Sequence, residues 1–63
     1  MENERLNMSL RSFLKQLGVS SQQEIEKAVR QSGKTSGSVT IIATVKSETI
    51  GLKHVVEGKI DLG

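Results

Sequence analysis

Apolar and polar residues alternate along the last third of the chain, break once, and alternate again. Val39, Ile41, Ala43 and Val45 fall on one face of a strand, and Leu52, His54, Val56, Ile60 and Leu62 on one face of another. Strand side chains point to opposite faces with period 2, so this pattern predicts an antiparallel hairpin with one buried face. A four-residue loop, Glu48-Thr49-Ile50-Gly51, sets the register. It puts Ser47 opposite Leu52, Val45 opposite His54, Ala43 opposite Val56, Ile41 opposite Gly58 and Val39 opposite Ile60. Gly51 supplies the positive φ on which many such loops end. A lone hairpin is unstable in water and needs a cover for its apolar face.

The first half of the chain is the expected cover. Leu6, Leu10, Phe13, Leu14 and Leu17 are spaced i, i+4, i+7, i+8 and i+11, one stripe of an amphipathic helix. Asn3 and Asn7 can each cap its start, and the phase of Leu6 favours Asn3. Glu2 and Glu4 suit the positive end of the helix dipole, and Lys15 suits the negative end. Gly18 reads as a C-terminal stop, with Val19 folding back onto the last turn. Ser20 and Ser21, each followed three residues later by Gln23 or Glu24, read as capping boxes that open a second helix. Its stripe is Ile25, Ala28 and Val29, and Gly33 ends it. The expected order is thus a helix over about 4–17, a helix over about 21–32, a loop over 33–38, and strands over about 39–47 and 52–62.

The fold class predicted is α+β, with two N-terminal helices packed on one face of a C-terminal two-stranded hairpin in a single small domain. The expected core holds Leu10, Phe13, Leu14, Leu17, Ile25, Val29, Ile41, Ala43, Val45, Leu52, Val56 and Ile60. In such a core, truncating Phe13 or Leu14 to alanine costs roughly 2–5 kcal/mol.

Size limits this scheme. A chain of 63 residues buries only about 60% of its unfolded surface, and small scaffolds usually need disulfides, a metal or oligomerisation. There is no cysteine, and one histidine, so disulfides and thiolate metal sites are excluded, and His54 has no second histidine to share a metal. No cofactor is expected. Oligomerisation is the remaining support. No apolar run approaches the roughly 18 residues of a membrane span. Met1-Glu2-Asn3-Glu4 lacks the basic-then-apolar order of a signal peptide, so the expected setting is the cytoplasm, away from membranes.

Candidate chemistry adds little. The two helices and Leu17-Gly18-Val19 invite a helix-turn-helix reading, but the apolar residues of the second helix fall one position late. One residue turns a helix by roughly 100°, which would show the first helix the wrong face. Ser32-Gly33-Lys34-Thr35 echoes the end of a phosphate-binding loop, yet Ala28 stands where that motif needs a further glycine. His54 reads as a boundary residue of the hairpin. No nucleophile with its base is recognisable, so no enzyme is expected.

Two surfaces are left. Nine basic against seven acidic residues give a net charge of +2. Arg11, Lys15, Lys27, Arg30 and Lys34 form one basic patch if the helices pack side by side. The plain reading is a solvated face; the alternative is contact with nucleic acid or another polyanion. With Phe13 the only aromatic, base stacking of the kind that holds single strands is not available. The outer hairpin face carries Ile42, Thr44 and Val55, a small apolar patch, and both strand edges are open. These residues are either a tolerated patch or a surface for self-association or an unknown protein partner.

The residues Leu6-Asn7-Met8-Ser9-Leu10-Arg11, Phe13-Leu14-Lys15, Gly18-Val19-Ser20-Ser21-Gln22 and Glu24-Ile25-Glu26-Lys27-Ala28-Val29-Arg30 resemble a family of very small bacterial proteins of unknown function. Gly51-Leu52 and Val56-Glu57-Gly58 are similar to its tail. The resemblance implies a helix-helix-hairpin domain in the bacterial cytoplasm and brings no activity. The functional expectation is a non-catalytic interaction or self-association module, with a small nucleic-acid binder as the alternative.

Overall fold

The computed structural model describes residues 3–63. They fall into two units, one ending at Gly33 and the other spanning Lys34–Gly63. The first is a single helix, α1, Glu4–Ser32, and the second is a hairpin of β1, Ser38–Ser47, and β2, Leu52–Asp61.

The expectation of two helices is overturned, because α1 runs without a break through Gly18-Val19-Ser20-Ser21. Gly18 is not among the residues with positive φ, so it does not adopt the left-handed cap conformation. The energetics favour continuity. A glycine inside a helix costs about 1 kcal/mol relative to alanine. Splitting the helix would leave a further set of about four N–H and four C=O groups without helical partners. No proline is present to force the break. Ser20 also has a role inside the helix, where its hydroxyl donates to the Leu17 carbonyl at 3.4 Å. Gln22 donates to the Glu26 carboxylate at 3.3 Å, a side-chain pair one turn apart.

The true ends of α1 are well defined. Asn3 is the N-cap, in extended backbone, and its Oδ1 accepts from the Leu6 N–H at 3.1 Å. Asn7 N–H donates to the Asn3 carbonyl at 3.0 Å as the first helical bond. Gly33 is the C-cap at φ 74°, and its N–H donates to the Arg30 carbonyl at 3.4 Å. Glu4 sits in the first turn and Arg30 in the last, each at the favourable end of the helix dipole. The dipole role expected for Glu2 lies outside the described residues.

The hairpin has the register that its alternation predicts. Ser47 pairs with Leu52, Val45 with His54, Ala43 with Val56, Ile41 with Gly58 and Val39 with Ile60. Gly51, at φ 64°, closes the loop by donating its N–H to the Glu48 carbonyl at 3.3 Å. Beyond the last pair, the Leu62 N–H donates to the Gly37 carbonyl at 2.9 Å, which carries the ladder one step further.

Neither unit, taken by itself, buries the core expected from the sequence. Among the described residues none is buried. Of the twelve expected core residues, Ile25, Val29, Ile41 and Val45 are half-covered and the other eight are exposed. Taken by itself, the helix shields none of its leucines, and the hairpin is a single two-stranded layer that cannot sandwich its own side chains.

Candidate functional site

One organised surface feature is the stripe along α1. With the helix continuous, Leu6, Leu10, Leu14, Leu17, Ser21, Ile25, Ala28 and Ser32 form one series spaced 4-4-3 residues apart. Eleven residues make three turns of such a repeat, so the series stays on one face and drifts slowly around the helix. Phe13 and Val29 widen it. The series is large in its first half, where Leu6, Leu10, Phe13, Leu14 and Leu17 are 53, 47, 52, 54 and 37% exposed. It is small in its second half, where serine and alanine alternate with Ile25. Reading Gly18 as a stop hides this continuity; the unbroken 4-4-3 spacing and the lack of proline are the signals that reveal it.

The hairpin offers a second surface. On its outer face, Thr44 pairs with Val55 and Ile42 with Glu57, so Ile42 and Val55 are diagonal neighbours across the strands. They are 63 and 54% exposed. Thr44, between them in register, is also exposed. The sheet has the strand order β1-β2, so each strand has one unpaired edge among the described residues. Lys46 stands directly opposite Lys53 beside the loop.

The basic residues separate into groups. Arg11 and Lys15 are one turn apart on α1, whereas Lys27 and Arg30 lie near its other end. The twelve residue steps from Lys15 to Lys27 span about 18 Å of helix, and Glu24 and Glu26 lie between them. The side-by-side helices that would have gathered these four into one patch do not exist. Lys34 lies in the second unit.

Among the described residues, no three His, Cys, Asp or Glu side chains gather as a metal would require. His54 is exposed, across from Val45. Ser32-Gly33-Lys34-Thr35 follows a helix instead of preceding one. It therefore meets the negative end of the helix dipole, the wrong end for a phosphate. Among the described residues, no helix is long and apolar enough to cross a membrane.

Comparison with known families gives a match over residues 1–63, the whole chain, to DUF6494, a family of unknown function. The chain belongs to that family. No curated protein and no solved structure matches it. As a family member, the chain inherits no assigned activity, so its surface chemistry carries the functional reading.

Proposed function

We propose that this chain is a non-catalytic interaction module that completes its hydrophobic core by association. One observation carries the proposal. No described residue is buried, while thirteen large apolar side chains are at least 37% exposed. Soluble monomers rarely leave contiguous apolar patches of this kind open. A hairpin alone is marginal in water, and helices in proteins owe most of their stability to a packed face. Both units therefore need a covering surface. Two are available for that contact: the α1 stripe, and the hairpin's outer face and edges with Ile42, Thr44 and Val55. The resemblance to small bacterial proteins supports a setting in the bacterial cytoplasm.

Sedimentation and thermal melts at several concentrations test the reading. Association predicts a mass above that of the 6.9 kDa chain and a melting temperature that rises with concentration, because binding to the folded state adds to its stability. A 6.9 kDa species with a cooperative melt independent of concentration would overturn it.

A further inference from the structure

We infer that the surface covering the α1 stripe is the α1 stripe of a second copy, running antiparallel and centred near Gly18-Val19. The inference rests on the association proposed above and assigns its partner and geometry.

Size complementarity points to this arrangement. The stripe is large in its first half and small in its second. In a parallel pair, leucines would meet leucines at one end and serines would meet serines and alanine at the other. Such a pair would pack well at one end and leave the other poorly filled, and the unfilled end destabilises. Antiparallel pairing sets each large half against a small one. With the midpoint between Gly18 and Val19, Leu6 falls between Ser32 and Val29 of the other copy. Leu10 falls between Ala28 and Ile25, and Leu14 between Ile25 and Ser21. Leu17 meets the small Ser20-Ser21 step at the centre. Knobs and gaps therefore alternate along the whole helix, about 43 Å at 1.5 Å per residue.

Charge selects the same direction and register independently. Between Arg11 and Glu26 the charged residues of α1 are ordered in blocks, with Arg11 and Lys15 first and Glu24 and Glu26 after. Arg11 follows the stripe residue Leu10 and Glu26 follows the stripe residue Ile25. Each therefore lies one residue, roughly 100°, to the same side of the stripe. In an antiparallel pair the same flanks face each other. The proposed midpoint brings Arg11 of each copy level with Glu26 of the other, and Lys15 level with Gln22. In a parallel pair opposite flanks face each other, so Arg11 and Glu26, both on one flank, would not meet. Gln22 already donates to Glu26 at 3.3 Å within one chain, which holds that carboxylate on the flank.

Because the chain has no native cysteine, single-cysteine variants report the geometry directly. Facing positions on helices about 8–10 Å apart bring their Cα atoms within disulfide range. Chains carrying Leu10→Cys, mixed with chains carrying Ala28→Cys and mildly oxidised, should give the mixed disulfide, while neither variant alone should cross-link efficiently. A charge exchange supplies a second readout. Arg11→Glu alone and Glu26→Arg alone should each weaken the dimer roughly three- to tenfold. The double variant should restore it, because each new charge again faces its opposite. Self-cross-linking of Leu10→Cys, or no rescue by the exchange, overturns the antiparallel pair. If the protein associates but Ile42→Lys abolishes association and the 10/28 mixture stays unlinked, the hairpin is the interface; this inference then fails while the interaction module stands. A single-chain mass at every concentration, with a cooperative melt, overturns both.

Discussion

Asn3 and Gly33 do at the two ends of α1 what Gly18 was expected to do in its middle. Each satisfies backbone groups that the helix leaves open, Asn3 through its Oδ1 on the Leu6 N–H, and Gly33 through a left-handed turn at φ 74°. Replacing Asn3 with alanine should lower helix stability by about 1 kcal/mol, read as a loss of circular dichroism at 222 nm and an earlier melt. Gly33→Ala meets no steric obstacle, since nothing lies within 4 Å of the added Cβ. Its cost is backbone strain alone, on the order of 1 kcal/mol. In the hairpin, Lys46 and Lys53 face each other as a like-charged pair. Lys46→Glu turns that repulsion into attraction and should stabilise the hairpin by roughly 0.2–1 kcal/mol. Sharper cross-strand signals by NMR would show it; unchanged strand dispersion would show that the two ammonium groups already avoid each other.

At the level of elements, the hairpin was legible in the sequence and the helix boundary was not. Period-2 alternation specifies strands because a slip of one residue would move every apolar side chain to the wrong face. The loop length then fixed the partner of each residue from Val39 to Ile60. The signals around Gly18 were ambiguous because glycine and serine favour caps through local chemistry that a helix interior also accommodates. Glycine can occupy the right-handed region, and a serine hydroxyl can bond back to a carbonyl one turn earlier, as Ser20 does to Leu17. Local residue type cannot decide between these outcomes; the cost of opening two new helix ends does. Gly18→Ala separates the two cases by sign. At a left-handed cap, alanine would destabilise. In the interior of α1, with nothing within 4 Å of the new Cβ, it should stabilise the helix by roughly 0.5–1 kcal/mol. Helical content measured by circular dichroism at low concentration should rise.

For the whole molecule, the expected core residues carried correct information about which side chains seek burial, and no information about whether their own chain buries them. The apolar pattern reports a face, and a face can be covered from within or from outside. Phe13 distinguishes the two. Placed in a core of its own chain, its truncation would cost roughly 2–5 kcal/mol at any concentration. In the structure Phe13 is 52% exposed, so a dilute single chain should hardly register Phe13→Ala. In an antiparallel pair the same side chain flanks the stripe twice, once from each copy. Losing about 1 kcal/mol of burial per copy then weakens association by on the order of thirtyfold, since each 1.4 kcal/mol is a factor of ten. Sedimentation equilibrium of wild type and Phe13→Ala should show this loss of affinity, and circular dichroism of the dilute chains should nearly superimpose. Should Phe13→Ala instead unfold the dilute chain and leave the mass distribution unchanged, the stripe is covered from within and the proposed association loses its foundation.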